Sequence, residues 1–291
     1  MLAIALSLGA AATFALSAML IDRVNGRVAI LQLARWQMGI AFGVTLAVSA
    51  LFGGWHTVAA WQFGLLAASS AAGIMLASLT YFGAIMFAGP RISALLFTLA
   101  SPFALLMGYL ALGETVSVGQ GAGIALILFG IMLAITAPAD APVVGRRVRP
   151  VWHGIALGVI TSVGQAAGSL LARPAMAAGV EPVTAMAIRS GLGLAFFLAL
   201  MVIPMARRAM PLGRSELVNI GGSAILGMFI GMSFLMAALA RGDVGIVSTL
   251  SSTTPILILP MLWATTGKRP AVAAWVGAIL AVAGTALISL A

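Results

Sequence analysis

Ten runs of apolar residues, at about 2–21, 29–51, 62–87, 91–112, 117–136, 152–172, 182–204, 216–240, 244–266 and 270–290, fill almost the whole of this 291-residue chain. A helix needs roughly 20 such residues to cross the hydrocarbon core of a bilayer. Barrel strands would be ~10 residues of alternating polarity, and these runs are continuous, so the pattern predicts helices. Apolar residues make up 62% of the chain and charged residues 7%, against about 25% charged in soluble domains. A water-soluble surface cannot be built from that inventory, which excludes a cytosolic enzyme, a secreted scaffold and a nucleic-acid binder. The net charge of +9 is too scattered to form a nucleic-acid footprint. Cysteine is absent, so disulfides, thiolate metal sites and cysteine nucleophiles are excluded too. The first run lacks a basic leading segment and opens a polytopic chain, so it is read as a span rather than a cleaved signal. The expected fold class is an all-α integral membrane protein with ten transmembrane helices.

Pro, Gly and charged residues mark most of the gaps, as at Asp22-Arg23, Gly89-Pro90-Arg91, Gly113-Glu114, Arg173-Pro174 and Gly267-Lys268-Arg269-Pro270. The one sizeable linker, 137–151, carries Pro138, Pro142 and Pro150 with the basic cluster Arg146, Arg147 and Arg149. Lys and Arg in short loops set orientation. The odd-numbered loops hold Arg23, Arg27, Arg91, Arg146, Arg147, Arg149, Arg207, Arg208, Arg214, Lys268 and Arg269; the even-numbered loops hold Arg173 and Arg241. That bias places the odd loops in the cytoplasm and both termini outside.

The chain also repeats itself. Ala34-Arg35, Gly39 and Phe42 match Ile188-Arg189, Gly193 and Phe196 at an offset of 154. Ser70, Thr80, Tyr81 and Gly89 match Ser223, Ser233, Phe234 and Gly242 at 153, and Ser101-Pro102 matches Thr254-Pro255 at the same offset. Gly113 and Gly123 match Gly267 and Gly277 at 154. The expected organisation is a first five-helix unit over 1–136, the basic linker over 137–151, and a second five-helix unit over 152–291. Five is odd, so the second copy enters the membrane from the opposite side. Two inverted five-helix repeats around a central cavity follow, the plan of secondary transporters with a site near the midplane.

Polar side chains inside a membrane face protein or water. Ser162, Gln165 and Ser169 step by three and four along span six, which puts them on one helical face. Span nine carries Ser248, Thr249, Ser251, Ser252, Thr253 and Thr254 just before Pro255. Ser and Thr hydroxyls often bond only their own helix backbone, whereas Gln165 is harder to satisfy alone. Pro102 and Pro255 lie in matched positions of spans four and nine, where each interrupts the helical bond pattern; they are read as a hinge or gate. Arg35 and Arg189 are the matched charges, each about seven residues into its span, roughly 10 Å deep at ~1.5 Å per residue. Each is read either as snorkelling to the interface or as contacting an anionic group of substrate. All six acidic residues (Asp22, Glu114, Asp140, Glu181, Glu216 and Asp243) lie in loops or at span ends, as do His56 and His153. No carboxylate is therefore available at mid-membrane to carry a proton or to hold a cationic drug, and neutral, zwitterionic or weakly anionic solutes fit better. Glycines four residues apart, including Gly39/Gly43 and Gly227/Gly231, predict close helix packing. The six Trp residues lie mainly near span ends, as an interfacial belt requires, with Trp263 an exception.

Ser101-Pro102-Phe103 through Gly113-Glu114, followed by Gln120-Gly121 and Gly130, resembles the EamA domain of the drug/metabolite transporter superfamily. That domain has a proline-bearing fourth helix, a Gly-Glu turn and a glycine-rich fifth helix. Arg35 resembles the arginine common in the family's second helix, and the second copy departs in having Lys268 after Gly267. The resemblance covers the whole chain. It implies a ten-helix basket with alternating access, cytoplasmic termini (against the loop-charge reading), and a cavity lined by helices one, three, four, six, eight and nine. Carried onto this chain, that lining includes Thr13, Tyr81, Thr98, Gln165, Ser233 and Ser252, beside Ser169 and Ser248 from the polar faces above. Aromatic amino-acid exporters of the YddG type are one branch; they carry Trp before the fourth-helix proline, where this chain has Ser101.

The resulting expectation is a secondary transporter of a small polar metabolite, such as an amino-acid exporter or facilitator, monomeric in a bacterial inner membrane. Its partners would be a small-molecule substrate and lipid, with no nucleic acid, cofactor, metal site or catalytic residues. The alternatives are another solute class (nucleotide-related, sugar or multidrug), a membrane scaffold without transport, or an intramembrane enzyme.

Overall fold

The computed structural model describes residues 1–24, 27–88, 93, 96–136, 151–266 and 271–290. The linker expected at 137–151 falls almost wholly outside them, as do Arg91, Lys268 and Arg269. The described elements are helical, with no strand among the described residues. They are α1 (Leu2–Arg23), α2 (Ile30–Phe52), α3 (Ala60–Ser70), α4 (Ala77–Ala88), α5 (Ala100–Leu112), α6 (Val118–Thr136), α7 (Val151–Ala177), α8 (Pro182–Ala199), α9 (Arg214–Ser223), α10 (Met232–Leu239), α11 (Val244–Ser251), α12 (Thr254–Thr266) and α13 (Val272–Leu290). Two stretches of π-helix, Ala71–Leu76 and Ala224–Gly231, join α3 to α4 and α9 to α10 without interrupting the rod. Among the described residues, six helical segments are long and apolar enough to cross a membrane, and shorter apolar helices accompany them. The protein is a multi-pass membrane protein.

Helix packing follows the repeat. α6 lies against α13, α2 against α8, α4 against α7, and α1 against the second π stretch. Glycine makes the closest of these contacts. A Cβ added to Gly130 would collide with the Gly277 carbonyl oxygen, and one added to Gly284 would lie 2.5 Å from the Gly123 carbonyl oxygen. Gly123 and Gly130 correspond to Gly277 and Gly284 at the 154-residue offset, so the two contacts exchange partners. Without a hydrophobic drive between helices in lipid, such backbone approach supplies the association. Ile124, Ile127, Ile131, Leu250, Ile256 and Ala281 fill the space beside this pair. Gly43, one of the glycines expected to pack closely, has nothing within 4 Å of its added Cβ; the spacing alone did not identify the contact face.

Two sequence expectations change here. Arg173-Pro174 was read as the end of span six, but α7 continues through Pro174 to Ala177. Burial of Ala172, Ala175 and Met176, all at 1% exposure or less, holds that last turn in place despite the missing donor. The sequence places Pro102 and Pro255 inside spans four and nine as a hinge or gate. Instead each helix stops just before its proline: a turn at Thr98–Leu99 precedes α5, and a turn at Ser252–Thr253 precedes α12. Each proline therefore occupies the first turn of a new helix, where no intrahelical donor is lost. In α12 the proline inside the helix is Pro260, as Pro174 is in α7.

Gly130→Leu and Gly284→Leu are each expected to destabilise the protein by about 1–3 kcal/mol, the usual cost of overpacking. Gly121→Leu, whose added Cβ meets nothing within 4 Å, should leave stability unchanged. Thermal unfolding of the three variants in one detergent checks this.

Candidate functional site

The two helix breaks meet. At the second, Ser252 N–H donates to the Ser248 carbonyl at 3.0 Å and the Thr249 carbonyl at 3.2 Å, and Thr253 N–H donates to Leu250 at 3.2 Å. At the first, Ser101 N–H donates to the Thr98 carbonyl at 3.2 Å. These tight turns keep backbone groups paired where the α-helical pattern stops. Across the gap, Ser101 Oγ donates to Ser252 Oγ at 2.7 Å, and Ser252 Oγ donates to the Ser248 carbonyl at 2.8 Å. Each break is also tied to the first helix of the other repeat. Ser162 Oγ on α7 donates to the Leu96 carbonyl at 2.6 Å, and Thr254 Oγ1 donates to the Ala11 carbonyl on α1 at 3.3 Å.

The π stretches lie at matched positions in the two repeats. Ser69 Oγ donates to the Gly168 carbonyl at 2.5 Å, drawing α7 against the first stretch. At the start of the second stretch, Ser17 Oγ donates to the Ser223 carbonyl at 2.9 Å, and Gln37 Nε2 donates to Ser223 Oγ at 2.9 Å. π-Helical turns open a helix locally and are frequent at functional sites.

The expected cavity residues fall into groups. Ser248 and Ser252 join Ser101 at the helix breaks. Tyr81 packs edge-on against Phe97 at 5.7 Å, one residue before Thr98. Thr13 bonds its own helix at the Gly9 and Ala10 carbonyls and abuts Gly231, at the end of the second π stretch. Ser169 is buried on α7, and Ser233 is buried on α10 with no hydrogen-bond partner for its Oγ among the described residues. Gln165 faces Gly73 in the first π stretch.

The matched arginines separate. Arg35 Nη1 donates to the Ala206 carbonyl at 2.8 Å, beside the segment that Gln32 clamps by accepting from Met210 N–H at 2.8 Å and donating to Met210 O at 2.9 Å. That is the anchoring reading. Arg189 does not snorkel; it is 2% exposed inside the bundle, with Nη1 3.4 Å from Met236 Sδ. Trp263 packs edge-on against Trp275 at 5.8 Å and remains 43% exposed, so it belongs with the surface tryptophans.

Sequence reasoning missed Glu114. Gly113 takes φ 66° at the end of α5 and turns the chain back, so that Glu114 N–H donates to the Gly108 carbonyl at 3.2 Å. The Glu114 carboxylate then accepts the Val244 N–H at 2.8 and 3.0 Å, capping α11 in the other repeat, while Arg173 Nε lies 3.8 Å away. Asp243 holds the cap position in sequence but makes no such bond. The Gly-Glu pair was a visible signal; its partner 130 residues away was not. A cavity of about 460 Å³ opens beside this joint, lined by Glu114, Arg173, Pro174 and Asp243 among others. Among the described residues, no cluster of acidic and His side chains could hold a metal ion.

Residues 1–136 and 152–290 each match the EamA-like transporter family. The chain belongs to that family. A solved structure titled only "Crystal structure of protein" is 21% identical, with a TM-score of 0.83 over 99% of this chain and 96% of that one, which shows a shared fold. No curated protein sequence matches the chain. Membership of the EamA-like family makes the two matched segments repeats of one membrane-transporter unit.

Burial raises the Glu114 carboxyl above its ordinary value of 4.5, and the nearby Asp243 charge adds to the rise, while the Val244 N–H and Arg173 oppose it. Relative to the unfolded chain, folding therefore favours the neutral form. Its contribution to stability is whole below pH 4.5 and is lost as pH rises through the raised value. The wild-type thermal midpoint should fall with rising pH across that window. Glu114→Gln should flatten the profile, as measured by unfolding from pH 4 to pH 8.

Proposed function

We propose that this EamA-like protein is a secondary transporter of a small polar metabolite, with an amino acid as the leading candidate. Ten helices form two inverted five-helix repeats around a central pathway, which one chain supplies alone. The observation that carries the reading is the pair of helix breaks joined through Ser101 and Ser252. Discontinuous helices meeting between repeats are how secondary transporters place polar groups at membrane depth without exposing backbone to lipid. The exchanged contacts of Gly130 with Gly277 and Gly284 with Gly123 support the inverted relation.

Alternating access then works as follows. Thr13, Tyr81, Thr98, Gln165, Ser169, Ser233, Ser248 and Ser252 supply hydroxyl and amide contacts to solute. Pro102 and Pro255 keep each pair of half-helices separate, so the halves tilt independently. On one side, Glu114 and Arg173 join α5, α7 and α11, and parting them opens the pathway. The membrane is a bacterial inner membrane, and the direction is outward or equilibrative.

Solute flux in proteoliposomes, with a panel of amino acids, nucleosides and sugars and with or without a proton gradient, tests the reading. Transport of one class, insensitive to the gradient, is expected; no flux of any solute overturns it. Gln165→Leu should cut that flux at least tenfold in a protein that stays monodisperse, and normal kinetics would remove Gln165 from the pathway. Pro102→Ala and Pro255→Ala let helix propagate through the breaks. Both should slow turnover more than they weaken binding, and unchanged turnover in both excludes the hinge.

A further inference from the structure

Arg189 is the one charged side chain among the described residues that is almost wholly buried, at 2% exposed. Its guanidinium has no oxygen acceptor among the described residues: Nη1 meets the Met236 thioether at 3.4 Å, and Nε has no partner. The described ion pairs are Arg27 with Glu216 and Arg173 with Glu114. The nearest carboxylate in sequence, Glu181, caps its own helix at Val183 and Thr184. A buried charge without a counter-ion is strongly unfavourable, and proteins normally avoid it. The other repeat shows the avoidance, because Arg35 at the matched position reaches a backbone carbonyl.

The surroundings of Arg189 resemble a receptor for what is missing. Gly73, in the first π stretch, packs closely against both α7 and the guanidinium; an added Cβ there would lie 3.1 Å from Gly168 Cα and 3.3 Å from Nη2. The same point is 3.8 Å from Gln165 Oε1, and the Gln165 amide makes no hydrogen bond among the described residues. Ser233, whose buried Oγ also lacks a partner, stands one turn before Met236 on α10. Cation, amide and hydroxyl thus come from three helices, and among the described residues Arg189 Nε and Ser233 Oγ are buried without a partner while the partly buried Gln165 amide has none from protein.

We infer that Arg189 is the counter-charge for a carboxylate on the transported solute, with Gln165 as the neighbouring polar contact. The substrate class is a small carboxylic acid, including zwitterionic amino acids. The planar guanidinium fork matches a carboxylate with two parallel hydrogen bonds. A single cation with neutral neighbours suits one negative charge better than a phosphate dianion. This rests on the transporter reading above and names the solute group that the pathway selects.

The test uses the full-length protein in detergent and in proteoliposomes. The probes are L-serine, L-leucine, L-phenylalanine and lactate, the amides of all four, inorganic phosphate, and uridine and glucose as neutral solutes. At least one acid should raise the thermal midpoint of the wild type and be transported, with its amide at least tenfold weaker. Gln165→Glu supplies a resident carboxylate beside the guanidinium and should keep the fold while weakening that acid at least tenfold. Arg189→Gln should do the same, and Arg189→Lys should retain part of the binding. Equal handling of acid and amide overturns the inference without any variant. So does phosphate competing where the acids do not. Transport of uridine or glucose that survives Arg189→Gln also overturns it while leaving the transporter reading intact. Flux of none of the probes counts against both.

Discussion

A backbone N–H or C=O left unpaired in hydrocarbon costs several kcal/mol, and this constraint organises the protein. It makes helix the default for every apolar run. It also explains why the departures from helix are confined and repaired. At Thr98–Leu99 and Ser252–Thr253 the chain tightens into turns that reuse nearby carbonyls, and Ser hydroxyls take part in the remainder. At Ala71–Leu76 and Ala224–Gly231 it widens into π-helix without losing continuity. The irregular backbone is thus kept paired, and each break bonds a helix of the other repeat. That is also where the candidate pathway residues Thr13, Gln165, Ser248 and Ser252 collect.

Repetition gives the two halves the same devices but not the same chemistry. Breaks, π stretches and glycine contacts all recur at the 153–154 residue offset. Arg35 and Arg189 occupy matched positions and end in opposite circumstances, one on a carbonyl at the bundle edge and the other sealed inside. Glu114 joins α11 of the second repeat, whereas Lys268 follows the matched glycine in that repeat. Such departures make the two halves of a duplicated fold chemically unequal.

Much of the framework was legible because membrane insertion reads composition. Apolar runs and the internal offset are local or periodic properties, and they carried the spans and the repeat, while the family resemblance rested on the Ser101-Pro102 and Gly113-Glu114 motifs. Both prolines were visible and their matched spacing was informative, but whether each kinks a helix or starts one depends on the turn before it. The π stretches left no compositional mark, because their residues read as ordinary apolar helix. Glu114 was conspicuous as half of a Gly-Glu turn, while its bond to Val244 spans 130 residues.

By itself the sequence determined that the chain is a multi-pass helical membrane protein built from a repeated unit, because apolar length and periodicity decide that one residue at a time. Only the tertiary structure decided which polar groups are satisfied. Among the described residues, Arg189 Nε and Ser233 Oγ are buried without a hydrogen-bond partner, while Ser101, Ser162 and Thr254 have partners on other helices. The physical reason is that hydrogen bonding inside a membrane is settled by which helices lie side by side. Neighbours in space, around Gly73 and at the helix breaks, are far apart in the chain.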